Sequence, residues 1–454
     1  MHVFRRARIP LACLPLSLQA CAGGQDPRVE PWLECDLSID GERIVTVVPT
    51  ASMATATSPS PAIRNTGAET TDLAGSVVFP GLLDVHTHLD KAHTWHRAPN
   101  PRGEFWDAIK VLDQDSQLWT EEDLYRRAQF ALRSAHAHGT IAIRTHLDTG
   151  REVGERSHRV MERMRAEWES RIELQTISLC SLAAFLSPAE AARIVEVSGR
   201  HKATALGGFP QPNPDLAKQY DGLMAAAREL GVGLDLHVDE SGLAHAECLR
   251  AAAEAVLRNR FPFPVACGHT CSLAVQDPAR AASTVDLVKA AGIHIIALPL
   301  CNLYLQGRMR APAGPSGELG SPRTPRWRGV TLLHELMDAG VTVACGSDNV
   351  RDAFYAWGDL DAMEVYQESV RIAHLDTRLP ESPAVVTTGP ARIMGLDTRG
   401  YGRVAPGSPA DLLVFPARTF NELLARPASA RRLIHGESFR SRLVPDYAEL
   451  AAVP

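Results

Sequence analysis

The sequence predicts an α/β fold: a (β/α)8 TIM barrel over residues 77–398, bracketed by a small composite β-sandwich domain built from residues 1–76 and 399–454. Three observations predict it. Eight near-continuous apolar runs, each ending in polar or ionisable residues, follow one another through the middle of the chain, as parallel strands covered on both faces do. Helix-like segments separate them. Both ends of the chain carry short strand-like runs of their own.

The runs are Val77–His88, Thr140–Asp148, Ile172–Cys180, Thr204–Gln211, Val232–Glu240, Pro264–Cys271, Ile293–Asn302 and Val341–Asn349. After the first, Thr120 opens a helix, with Asp123 three residues on as a variant of the capping box. Leu124, Ala128, Ala131, Leu132 and Ala135 share one face of it, and Gly139 ends it. His245–Asn259 and Thr331–Ala339 read as further helices. Two stretches break the rhythm. Gln306–Gly329, rich in proline, glycine and arginine, reads as a lid or a disordered insertion. Ser52–Thr71, rich in Ser, Thr, Ala and Pro, reads as a loose loop of the small domain. The flanking strands are Ala7–Leu14, Leu33–Ile39, Arg43–Val48, Ala410–Phe415 and Arg432–Ile434.

Hydrophobic residues make up 45% of the chain and charged residues 22%, ordinary for a protein with a sizeable core. A net charge of −6 leaves no electrostatic footprint for nucleic acid. The expected partners are a small heterocyclic substrate and further copies of the chain in a homo-oligomer. Nine cysteines without CxxC spacing read as buried thiols in a reducing compartment. Arg5, Arg6 and Arg8, the apolar stretch Ile9–Ala20 and then Cys21 sketch a signal or lipoprotein segment. Pro10 and Pro15 interrupt that stretch and favour a first strand, so a cytoplasmic protein is expected. No apolar run reaches the roughly 18 residues of a spanning helix, so no membrane partner is expected.

Catalytic groups of a barrel sit at the C-terminal ends of its strands. There the runs place His86-Thr87-His88, His146 with Asp148, His237 with Asp239 and Glu240, His269, and Asp348. Strand period two aims His86 and His88 to one face, a natural bite for a transition metal. His93 and His96 fall in the following loop, facing solvent or substrate. A metal on His86, His88, His237 and Asp348 keeps a position for water and lowers its pKa. Glu240, three residues beyond His237, is placed to carry a proton from that water to a leaving nitrogen. His269 is placed to hydrogen-bond the water or the developing charge. The fourth run ends Gly207-Gly208-Phe209-Pro210-Gln211, with no lysine to bridge a second ion, so one metal is expected.

The Pro80-Gly81 segment leading to Val85-His86-Thr87-His88 and the closing Gly407-Ser408-Pro409-Ala410-Asp411-Leu412 resemble the amidohydrolase superfamily. Its cytosine deaminase branch is suggested by five stretches. They are His86-Thr87-His88-Leu89-Asp90-Lys91, Arg144-Thr145-His146-Leu147-Asp148, His237-Val238-Asp239-Glu240, Gly268-His269-Thr270 and Asn302 to Arg308. The resemblance implies one Fe(II) or Zn(II) ion on His86, His88, His237 and Asp348. It implies Glu240 as proton shuttle, with His269 and Asp348 orienting the water. It implies hydrolytic deamination of a cytosine-like cyclic amidine.

Two departures concern substrate. Where cytosine deaminases place a Phe-Pro-Gln segment after the third strand, this chain has Leu179-Cys180-Ser181. Where they have a second acid after the metal Asp, it has Asn349, which resembles relatives that hydrolyse N-alkyl groups from triazines. Ser181, Asn349, Phe354 and Trp357 are the substrate contacts suggested by position, and the region of Trp95 and Trp106 is placed to close the pocket. Hydrolysis of a ring amide or N-alkyl substituent is the second reading, and a non-catalytic metal-binding scaffold the third.

Overall fold

The computed structural model describes residues 1–21, 26–50, 68–150, 153–312, 320–426 and 430–452. They form two compact units: residues 1–84 with 135–142 and 361–444, and residues 85–134 with 143–360 and 445–454.

The first unit contains two four-stranded sheets. One has the order Arg43–Pro49, Trp32–Asp40, His2–Pro10, Glu69–Asp72; the other Ser438–Arg440, Arg432–His435, Asp411–Val414, Val78–Pro80. Phe4, Ile9 and Leu37 of the first meet Val78, Leu412 and Ile434 of the second in one core. The N-terminal strand begins at His2, not Ala7, and a short helical turn, Leu11–Cys13, replaces its expected end. The exposed Arg5 and Arg6 stand at a bulge between Phe4 and Ala7, where Arg6 takes φ +55°. That bulge breaks the period-two pattern and hid the buried Val3 and Phe4 from a reading of alternation. Most of the Ser52–Thr71 loop lies outside the described residues, but Glu69–Asp72 adds a strand parallel to His2–Arg5.

The first apolar run divides between sheets. Val78–Pro80 pairs with Asp411–Val414 in the sandwich, and Leu82–Thr87 opens the barrel. Gly81 sits between them because a Cβ there would lie 2.7 Å from Ile141 Cδ1.

Eight parallel strands make a (β/α)8 barrel: Leu82–Thr87, Thr140–Asp148, Glu173–Ser181, Ala205–Phe209, Gly233–Val238, Val265–His269, His294–Ala297 and Val343–Cys345. The last and first meet through a parallel bridge between Thr87 and Asp348, where Asp348 N–H donates to His86 O at 2.9 Å. The seventh strand stops at Ala297, short of the expected Asn302, because Pro299 opens a helix, Pro299–Leu305. Gln306–Gly329 carries a hairpin, Met309–Arg310 with Pro322–Arg323, and residues 313–319 of that expected lid lie outside the described residues. Among the described residues no helix is long and apolar enough to cross a membrane, and all nine cysteines are free thiols, eight of them buried.

Phe4→Ala opens the centre of the sandwich core. A loss of about 3–5 kcal/mol is expected, read as a lowered denaturant midpoint at unchanged slope.

Candidate active site

Three strand ends converge, those of the first, fifth and eighth strands. His86 and His88 leave the first barrel strand on one face, and His237 comes from the fifth. Their Nε2 atoms meet: His86 to His237 at 3.1 Å, His88 to His237 at 3.0 Å. Asp348 Oδ1 lies 3.5 Å from His86 Nε2 and 3.3 Å from His88 Nε2. His86, His88 and Asp348 are buried. Burial, reinforced by the neighbouring imidazoles, holds His86 and His237 well below the ordinary histidine range; His88 is held down by burial and then by Lys91. The rings are therefore neutral, the state a metal ligand needs. Nitrogens that share one ion at about 2.0–2.1 Å stand roughly 3.0–3.4 Å apart. The donor set thus fits a divalent ion.

His86 has room because two glycines flank it. A Cβ on Gly268 would meet its Cε1 at 3.0 Å, and a Cβ on Gly346 would meet its Cβ at 3.1 Å. His146, from the second strand, completes a further group with His86, His88 and His237. Its ring centroid lies 4.1 Å from that of His86, and its Nε2 lies 3.3 Å from Asp235 Oδ1. Reading strand ends had found His146 but gave it no part in the site.

Glu240 follows a left-handed turn at Asp239, φ +50°. The Asp239 carboxylate accepts from Cys248 N at 3.0 Å and Leu249 N at 2.9 Å, so it caps the helix Cys248–Asn259 and pins the loop. Glu240 Oε1 lies 3.5 Å from His269 Nδ1. Burial, then the charge of Asp348, raises the Glu240 carboxyl well above the usual range. His269 is lowered to about 3, first by burial and then by His146. Asn302 Nδ2 donates to His269 Nδ1 at 2.9 Å, which leaves Nε2 as the protonated nitrogen. Gln306 Nε2 donates to Glu240 O at 3.1 Å. Asn302 lies in the helix that replaced the end of the seventh strand and Gln306 directly follows it; both belonged to the quoted stretch Asn302 to Arg308 but were given no role.

Beside these groups is a cavity of about 320 Å³. His88, His237, Glu240 and His269 line one side, and Phe105, Trp106, Ile109, Leu112 and Phe354 form an apolar wall. Ser181, Asn349 and Phe354 line it, as their positions had suggested. The Ser181 hydroxyl also accepts from Ala183 N, and Asn349 Nδ2 donates to Asp352 Oδ2 at 2.8 Å. Trp357 does not reach this cavity: it is 62% exposed and packs on Tyr304 and Tyr355 over a separate groove. Phe354 and Tyr355 are held by the Asp352 carboxylate in one turn that sends them to the two different sides. Trp106 lines the cavity and Trp95 does not. His93 is buried against Phe130, away from the cavity, and His96 Nδ1 bonds His93 O.

Lys91 and Gln211 are polar lining residues to which the sequence motifs gave no role. Lys91 belonged to a quoted motif. Gln211 reaches the rim from the end of the fourth strand, together with Phe209. The Phe-Pro-Gln tripeptide sought after the third strand stands, in this chain, after the fourth.

The amidohydrolase family model matches residues 187–443. A pterin deaminase of Rhizobium rhizogenes (strain K84 / ATCC BAA-868) is 46% identical over 383 residues, 84% of each chain. An N-isopropylammelide isopropyl amidohydrolase of Pseudomonas sp. (strain ADP) is 22% identical over 390 residues, 84% of this chain and 86% of that one. The crystal structure of 5-methylcytosine deaminase from Klebsiella pneumoniae liganded with 5-fluorocytosine shares the fold with a TM-score of 0.77, at 22% identity over 96% of both chains. This chain belongs to the amidohydrolase family.

Gly268→Val is expected to push the His86 ring out of the cluster. Metal bound per chain, measured after reconstitution and desalting, should fall at least tenfold relative to the parent protein.

Proposed function

We propose that this chain is a metal-dependent hydrolase that deaminates a cyclic amidine carried on a pterin-type bicycle. The observation that carries the reading is the placement of Glu240 and His269 on the same cavity as His88 and His237, with Phe105, Trp106, Ile109, Leu112 and Phe354 also in its lining. Such an apolar lining suits a planar bicyclic ring. The 46% identity to a pterin deaminase supports the same substrate class. Cytosine carries the same amidine on a smaller ring and stands as the competing substrate.

His86, His88, His237 and Asp348 would hold one Fe(II) or Zn(II) ion. Bound there, the ion supplies a water of lowered pKa and polarises the amidine carbon. Glu240 takes one proton from the attacking water and delivers it to the ring nitrogen, then carries the second, from the new hydroxyl, to the amino group that departs as ammonia. Its burial, and then the charge of Asp348, raises the carboxyl well above the usual range, which makes it a stronger base toward that proton. His269, oriented by Asn302, donates from Nε2 to the incoming oxygen. The aromatic wall excludes bulk water from the amidine. One water is consumed, and ammonia and the oxo-heterocycle leave.

The reading as an N-dealkylase has one favouring observation, Asn349 after Asp348, matched by the 22% identity to the isopropylammelide hydrolase. Product analysis divides the two: ammonia supports deamination, and an alkylamine released faster than ammonia sinks it.

Glu240→Gln should lower kcat by about 10³-fold or more with metal content unchanged; a variant retaining a tenth of the activity refutes the proton-transfer role. The acid limb of kcat/KM has a stated sign. Glu240 must be unprotonated to accept a proton, and its pKa is raised, so activity falls with decreasing pH at a point above the ordinary glutamate range of about 4.3. Asn302→Leu should cut kcat by roughly tenfold while leaving KM within about twofold, because His269 loses its orienting partner.

A further inference from the structure

We infer that Lys91 is a specificity-determining residue, whose ammonium binds the exocyclic oxygen one ring nitrogen away from the amidine carbon of the substrate. The inference rests on the reading of this site as a heterocycle deaminase.

Lys91 is the only lysine or arginine lining the cavity among the described residues. It is 4% exposed. A buried ammonium is costly unless it is paired and hydrogen-bonded. Asp148 supplies the pairing, with both carboxylate oxygens 3.3 Å from Nζ. Asp148 is itself fixed, since its N–H donates to Asp90 Oδ2 at 2.8 Å. Arg127 in turn holds the Asp90 and Ala92 carbonyls at 2.7 and 2.9 Å, which anchors the turn carrying Lys91. Asp148 lines the same cavity, so the ion pair as a whole stands on its wall. Its Nζ stands 5.4 Å from the Phe354 ring centroid. It is also near enough for its charge to act on both His88 and Glu240. A purely structural ion pair needs no cavity face. This one shares its cavity with the groups proposed to attack and protonate the ring.

A flat ring lying against Phe354, with its amidine carbon at the metal cluster, brings an adjacent oxo group toward Lys91. The ammonium is a donor with no acceptor capacity. It accepts an oxo group as partner and meets an amino group donor to donor, leaving the buried charge poorly satisfied. When water adds to the amidine carbon, electron density shifts through the ring nitrogen toward that oxygen. The ammonium then stabilises the transition state more than the ground state. Lys91 therefore selects amino-oxo rings over diamino rings and contributes mainly to kcat.

The test compares ammonia release from pterin and from diaminopteridine, using the metal-loaded parent, Lys91→Met, and Lys91→Met combined with Asp148→Asn. The double variant avoids a stranded carboxylate. The parent should prefer pterin by at least about 100-fold in kcat/KM. Both variants should lose about 100-fold or more on pterin, chiefly in kcat, and the preference should fall below tenfold. Affinity for the dioxopteridine product, followed by quenching of tryptophan fluorescence, should weaken at least tenfold at unchanged metal content. Variants that keep the 100-fold preference overturn the role of Lys91 alone. A parent that releases no ammonia from either pteridine overturns the deaminase reading, and the Lys91 inference falls with it.

Discussion

The site depends on the closure of the barrel. One bridge, between Thr87 and Asp348, joins the last strand to the first. It sets the backbone of Asp348 against the carbonyl of His86. Strand alternation alone would aim Asp348 with its bridge partner Thr87, away from His86 and His88. The left-handed backbone of Asp348, φ +64°, departs from strand geometry, and its carboxylate comes within 3.5 and 3.3 Å of the two histidines. Thr87 and Asp348, 261 positions apart in the chain (348 − 87), become neighbours through a backbone contact, before any ion contributes.

Burial then sets the chemistry. The same low-dielectric surroundings that keep His86, His88 and His237 neutral raise the Glu240 carboxyl above its ordinary range. Opposite effects on base and acid follow from one cause, since burial disfavours whichever form is charged. Lys91 is the exception that the site stabilises as a cation, by setting Asp148 beside it.

The barrel was legible because its strands are apolar on both faces, so eight runs stood out with their functional ends in view. His86, His88, His237, Glu240, His269 and Asp348 were readable as strand ends, and the structure brings them together. What escaped reading had physical reasons. Arg5 and Arg6 at a bulge concealed the start of the first sandwich strand, which was placed at Ala7 and lies at His2. Pro299 turned an expected strand end into the helix that carries Asn302 and leads into Gln306. Trp357 and Phe354 lie three residues apart on an irregular turn, where no periodicity tells which one faces the cavity. Gln211 was visible in a Phe-Pro-Gln segment, but at the end of a strand where a lysine was being sought.

Three of the turns that present this chemistry, at Asp239, His269 and Asp348, take left-handed backbone with φ of +50°, +66° and +64°. A side chain in that region costs of order 1 kcal/mol, which glycine would avoid. The substitution that would relax the chain at each point is the one that would delete a loop anchor, an imidazole or a carboxylate. Stability gained at the mouth of this barrel is therefore gained against activity, and a more thermostable descendant has to find its extra free energy elsewhere.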